Sequence, residues 1–267
     1  MNYKKYFYIH IDDFGFNKEV NKQIVSYVKN FKLVEGISVF AHPKANFSYI
    51  NELKQVNLSL HLNLTSFQKK KFNFFKLVFI SIFPFFFSKD IKIIKQMVKY
   101  QIDRFLNMKL KKEKIMKIDG HNHIHIIPIV NKICIKYLKK KKINFIFRNN
   151  NEFFFLYMNR FFFSIFLNYI KLLIIKILFK FLGNRKKYFT NNCFIGVICS
   201  GFYNYNIFKF FLKKNIKLNN DKKIEFLIHP FKINNKKNKK YSSEYKYYLS
   251  NSRRHEIALI QLLQQNN

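Results

Sequence analysis

The sequence predicts an α/β protein: a TIM-like, distorted (β/α) barrel with mostly parallel strands. Three observations predict it. Strand-like and helix-like segments alternate about seven times along 267 residues. The strand-like segments are almost continuously apolar, as strands buried on both faces of a parallel sheet must be. The chemically distinctive residues cluster where those strands end, the face on which a parallel barrel assembles a site from separate loops. A doubly wound sheet is the alternative architecture. No internal repeat or linker interrupts the pattern, so residues 1–267 read as one domain.

The elements follow in order. Tyr6 to Ile11 is an apolar run, too short and too soon followed by Asp12-Asp13 to be a signal peptide. It reads as a strand closed by the turn at Phe14-Gly15. Asn17 is placed to cap a helix reaching about Phe31. Strands are expected at Glu35 to Phe40 and Asn57 to Leu62, with a short helix around Asn46 to Lys54 between them. The Lys- and Phe-rich residues 66 to 88, with Pro84, read as an irregular excursion. Helical periodicity returns over Lys89 to Asn107, and Ile115 to Asp119 is a strand. Pro128 sits where a first-turn proline belongs, opening a helix to Lys140. Asn144 to Phe147 is a strand, followed by a long apolar helical stretch from Phe153 to Leu182. Strand Cys193 to Cys199, helix Tyr205 to Lys214, strand Ile224 to Ile228 and helix Asn251 to Gln264 complete the chain.

The 153–182 stretch is long enough to span a bilayer. However, Arg160, Lys171, Lys176 and Lys180 leave it no clean apolar window. An outer barrel helix is the expectation, and a helix lying on a membrane surface is the alternative.

Lys and Arg number 50 against 14 Asp and Glu, a formal net charge of +36. Such a balance ordinarily points to nucleic acid or an anionic membrane. Here only six of the 50 are Arg, and the chain has 35 Phe but no Trp. That bias matches AT-rich codon usage, whereas RNA-binding surfaces favour Arg interleaved with aromatics. Specific nucleic-acid binding is therefore not expected. The three cysteines, Cys134, Cys193 and Cys199, are odd in number and lack CxxC spacing. This argues against a disulfide framework and for a reducing, cytoplasmic setting.

Four segments carry the chemistry: Ile11-Asp12-Asp13-Phe14-Gly15, Leu60-His61-Leu62-Asn63-Leu64-Thr65, Ile118-Asp119-Gly120-His121-Asn122-His123-Ile124-His125, and Ile228-His229-Pro230. Each lies at the C-terminal end of an expected strand. Together they hold five of the eight histidines and three of the six aspartates. One Asp with two His makes a facial ligand set for a hydrolytic divalent metal. If extended, His121, His123 and His125 would fall on one side, so that up to three imidazoles could converge. Two adjacent aspartates suit a division of labour, one binding metal and the other acting as general base.

In these motifs the chain resembles the YdjC-like carbohydrate deacetylases, the group that includes chitooligosaccharide deacetylases and the hopanoid-biosynthesis-associated HpnK proteins. The matching features are the strand ending in DDFG, the HLNLT strand end, the DGHxHxH segment before Pro128, and Arg148 after the fifth strand. Phe194-Ile195-Gly196 with Ser200-Gly201, the Glu225-to-Pro230 segment and Arg254-His255-Glu256 continue the match to the C-terminus. The resemblance implies a TIM-barrel-like fold and metal-dependent removal of an N-acetyl group from a sugar or glycolipid, releasing acetate and a free amine. It implies Asp13, His61 and His125 as metal ligands, Asp12 as base and His229 as general acid. Asp119, His121, His123 and Arg148 would then orient ligands or contact substrate. The ion expected is Mg2+, ahead of Zn2+. The chain departs from the family pattern at Phe231, which stands where glycine usually follows the His-Pro and would crowd the rim near His229.

The expected partner is an N-acetylated sugar. Peripheral membrane contact and a homodimer stay open, as does a catalytically decayed relative. The competing class is a cationic protein that uses the barrel only as a scaffold for RNA or anionic lipid.

Overall fold

The computed structural model describes residues 6–65, 72–108, 115–150, 152–153, 162–190, 192–198, 200–201, 203, 205–218, 223–231 and 252–265. Seven strands form one sheet: β1 Phe7–Phe14, β2 Val34–Phe40, β3 Asn57–Leu62, β4 Met116–Gly120, β5 Phe145–Phe147, β6 Cys193–Ile195 and β7 Ile224–Ile228. Their order is β5-β4-β3-β2-β1-β7-β6, and every neighbouring pair is parallel. This order separates barrel from doubly wound sheet. A doubly wound sheet reverses direction at a switch point. Here β7 sits beside β1 and the two edges are β5 and β6, as in a ring opened at one seam. Residues 189–190 partly stitch that seam: the Thr190 N–H donates to the Phe147 carbonyl at 2.8 Å, and Phe147 forms a parallel bridge with Phe189. The fold is an α/β, TIM-like distorted barrel.

Among the described residues, seven helices flank the sheet: α1 Lys18–Asn30, α2 Phe74–Ile82, α3 Ser88–Asn107, α4 Pro128–Lys140, α5 Phe162–Lys180, α6 Tyr205–Leu218 and, after the last strand, α7 Ser252–Gln265. The Asn17 side chain caps α1, accepting from the Val20 N–H at 2.8 Å. Pro128 opens α4, where its missing N–H costs nothing. The strands are buried almost throughout, with β7 buried at every position, which is why they read as continuous apolar runs.

Four expectations are corrected. The described part of the 66–88 excursion is mainly helical. Asn73 caps α2 by accepting from the Lys76 N–H at 2.6 Å, Leu77 and Ile80 face the core, and Pro84 opens a 3-10 turn at Pro84–Phe87. A run so uniformly apolar has no polar side to betray a helical period. The expected helix around 46–54 is a single 3-10 turn, Ile50–Leu53. β1 runs on through both aspartates to Phe14. β6 stops at Ile195 because the N–H groups of Gly196, Val197 and Ile198 all turn to one Glu152 oxygen, at 3.2, 2.7 and 3.3 Å.

Residues 154–161 of the long apolar stretch, Cys199 and the Lys-rich runs at 69–71 and 236–240 lie outside the described residues. No described helix is long and apolar enough to cross a membrane.

Candidate active site

β1 delivers Asp12 and Asp13 to the C-terminal mouth. Its pairing with β2 shifts register between Ile11 and Phe14, and Asp13 takes φ 71°. Such a bulge re-aims side chains, and aspartate tolerates the left-handed region better than most residues. Asn21 holds the turn that follows. Its Oδ1 accepts from the Gly15 N–H at 2.7 Å, and its Nδ2 donates to the Asn46 and Ser48 carbonyls at 2.9 and 3.1 Å.

β3 and β4 bring His61 and Asp119 side by side, since the two residues pair in register. His61 Nδ1 lies 2.5 Å from Asp119 Oδ1, which leaves Nε2 turned toward Asp13 Oδ1 at 3.2 Å. A carboxylate that holds one imidazole nitrogen and frees the other is how proteins aim a histidine at a metal. His121 Nδ1 approaches the same Asp13 oxygen at 3.3 Å. One ligand atom from each of Asp13, His61 and His121 lies within 4.8 Å of the others. Ligands about 2.1 Å from one ion are spaced roughly 3.0–3.4 Å along the edges of its coordination shell. The two distances to Asp13 match that spacing, so the residues present fit a divalent ion.

His125 is not part of this group. The segment after β4 is not extended. It is a 3-10 turn at His121–Ile126, broken by left-handed Asn122 (φ 53°) and His123 (φ 60°), which sends the three imidazoles apart. His121 goes to Asp13. His123 Nδ1 meets Asn150 Nδ2 at 3.0 Å. His125 is fully buried, with Nε2 3.1 Å from the Arg148 carbonyl. The resemblance implied His125 as the third ligand; the histidine whose ligand atom gathers with those of Asp13 and His61 is His121.

Behind the ligand set lies a buried ionic network centred on Arg148. Its Nη1 and Nη2 donate to the two Asp12 oxygens at 3.1 Å each, its Nε donates to Glu225 Oε1 at 2.6 Å, and Nη2 lies 3.1 Å from Asp119 Oδ2. Ser38 Oγ donates to Asp119 at 2.6 Å and contacts His10 Nε2 at 2.7 Å. His10 lies across β2, where a Cβ on Gly36 would stand 2.3 Å from its Nδ1, so only glycine fits there. His10, Asp12 and Asp119 also bring three ligand atoms close together. In that group the Arg148 guanidinium already supplies the cation.

The charges explain the titration behaviour. Burial opposes ionisation of Asp12, but Arg148, with His61 and His10, outweighs it and holds the carboxyl well below the usual range. Burial likewise opposes ionisation of Asp13, which His121 and His61 reverse. Burial would lower His61, yet Asp12, Asp119 and Asp13 push it up to about 10.

A cavity of about 420 Å³ opens over the ligand set. Asp12, Asp13, His61, His121, His123 and His229 line it, with Thr65, Asn122, Asn168, Lys171 and Ser200 among the polar remainder. His229 follows β7. Its Nε2 is 3.8 Å from Asp13 Oδ2, the oxygen turned away from His61 and His121, and its N–H donates to Glu256 of α7 at 2.5 Å. Phe231 does not crowd it: that ring is fully buried, edge-on to His229 at 6.3 Å. Burial, then Arg253, hold His229 below the ordinary histidine range. Sequence reasoning missed Lys171, which it read only as an interruption of an apolar stretch. Burial, then Arg253, push this lysine down to about 8. It also missed Glu152 and Ser38, which carry no motif.

The sequence pattern of the YdjC-like protein family matches residues 6–261, from β1 into α7. The chain belongs to the YdjC-like family. That family covers carbohydrate deacetylases, and this YdjC-like chain keeps buried His and Asp groups able to hold a divalent ion. No curated protein matches the chain.

Proposed function

We propose that the chain is a metal-dependent carbohydrate N-deacetylase, hydrolysing the acetamide of an N-acetylated sugar or glycolipid to acetate and a free amine. The observation that carries this is the Asp13–His61–His121 set facing an open cavity that Asp12 and His229 also line. A bound divalent ion would supply Lewis acidity and make a water a better nucleophile. Two imidazole nitrogens beside one carboxylate suit Zn2+ better than Mg2+, which prefers oxygen donors. The donor set thus moves the choice toward zinc.

The chain's own groups do the rest. Asp12 is oriented by two Arg148 donors and lines the cavity, which places it as the acceptor for the attacking water's proton. His229 reaches the opposite Asp13 oxygen and is placed to hand a proton to the departing amine. Thr65, Asn122, Asn168 and Ser200 offer hydrogen-bonding groups for sugar hydroxyls.

The test is acetate release from N-acetylglucosamine oligomers after chelation, with Zn2+ or Mg2+ added back. Release that returns with metal supports the reading. No release with any metal, or release indifferent to chelator, sinks it.

A further inference from the structure

We propose that α2, the turn after it and α5 form a docking surface for an anionic lipid bilayer, with the mouth of the cavity between them. α5 is apolar on two faces. Leu172, Ile175 and Leu178 pack into the core. A second stripe at helical spacing, Ile170, Leu173, Ile177 and Phe181, faces outward, with Leu173 56% and Phe181 70% exposed. A helix apolar all round is normally buried on all sides. The α2 side repeats the pattern: Phe75 is 70% exposed, Phe85 95% and Phe86 83%.

Both helices border the same cavity and the same helix start. α2 lies beside the cavity through Asn73 and Phe74, and α5 through its middle residues Asn168 and Lys171. Beyond it, both sides meet the start of α4: Ser81 Oγ of α2 accepts from the Ile129 N–H at 3.2 Å, and Arg185, just past α5, donates to the Pro128 carbonyl at 2.7 Å. Exposed apolar surface on this scale marks an interaction site.

The charges select the occupant. Neither α2, the 84–87 turn nor α5 contains a carboxylate, and exposed Lys89 and Lys180 border the apolar residues. Apolar side chains rimmed by lysine, on a chain of net charge +36, match an anionic bilayer surface. A second copy would bring the same positive charge against it. Nucleic acid stacks on aromatic rings but gains little from leucine and isoleucine stripes. The inference concerns where the chain docks, and it stands whether or not the cavity is a deacetylase site.

The chain has no tryptophan, so Phe85→Trp and Phe181→Trp each place one reporter on the surface. Ile115→Trp places one at the start of β4, the opposite end of the barrel. With phosphatidylcholine vesicles containing phosphatidylglycerol, the first two should shift their emission to the blue and the third should not. Phe85→Glu with Phe86→Glu, and Leu173→Glu with Phe181→Glu, should each weaken co-sedimentation at least tenfold while circular dichroism stays unchanged. Three results overturn the proposal: no vesicle binding, binding that both double variants leave intact, or a dimer in solution that the same variants dissolve. Acetate release from a soluble substrate is read separately, so failure here leaves the deacetylase reading untouched.

Discussion

His121 and His125 are four residues apart in one motif and have opposite fates. One stands at the cavity against Asp13; the other is sealed beneath it against the Arg148 carbonyl. His121→Ala should abolish tight zinc binding and cut metal-dependent turnover at least about 100-fold, since a direct ligand should matter no less than the outer-shell groups that orient one. His125→Ala should keep the metal and lose stability instead, by about 2–4 kcal/mol, as for other large-to-small changes in a core. Zinc titration and denaturant unfolding separate the two, and equal zinc affinities in both variants would refute the assignment. His61 adds a second residue-scale prediction. Held near 10 in the metal-free chain, it must shed its proton to become a ligand. Calorimetry at pH 7 in buffers of different ionisation heat should show proton release on zinc binding. If the measured heat does not vary with the buffer, His61 is not the group displaced. Asp12→Asn should leave metal bound and lower turnover at least about 100-fold, as loss of a general base does.

At the scale of elements, the site depends on side chains that tie strand ends to helices. Asn63 and Gln101 exchange two hydrogen bonds, at 2.9 and 2.8 Å, which pin the end of β3 to α3. Glu256 of α7 accepts from the Gly201 and His229 N–H groups and from Arg253. Glu152 gathers the three N–H groups that end β6. Burial raises its carboxyl to about 7, against the pull of those N–H groups. In the unfolded chain the same group titrates near 4.5. The folded state therefore holds the proton more tightly, and this contribution to stability is complete below pH 4.5 and lost as pH rises through about 7. Glu152→Gln, which keeps an acceptor but cannot ionise, should remove that dependence. Between pH 5 and 8 the wild-type chain should lose at most about 3 kcal/mol relative to the variant, at roughly 1.4 kcal/mol per pKa unit. Parallel pH profiles would show that Glu152 does not titrate there.

Over the whole molecule, the charge of +36 and the reaction are separable. Attraction to a polyanion falls steeply with salt, whereas hydrolysis of a small neutral sugar inside a cavity should not. Turnover of an uncharged N-acetylated sugar should change less than about twofold between 50 and 200 mM salt, a range over which multi-phosphate binding weakens by orders of magnitude. A steep loss of turnover would tie activity to the lysine surface. The barrel itself is what brings the site together: Asp12 and Arg148 are 136 residues apart in sequence, and Arg148 and Glu225 are 77 apart.

The sequence alone determined the parallel architecture and the end of the barrel that carries chemistry. Asn57–Leu62, Ile224–Ile228 and Pro128–Lys140 are bounded by signals that local physics sets: an apolar run, a turn, a first-turn proline. It also singled out Asp12, Asp13, His61 and His229, because scarce polar residues at strand ends stand out against a Lys-, Asn- and Phe-rich background. Tertiary structure alone decided which of three histidines faces Asp13, since that rests on two left-handed residues that no alternation pattern reveals. It alone placed Lys171 on the cavity and Glu152 under β6, because burial and the direction of an N–H group are properties of packed neighbours. It alone left α2 and α5 with apolar faces turned outward, for an apolar residue reads the same in sequence whether the core or the solvent side receives it.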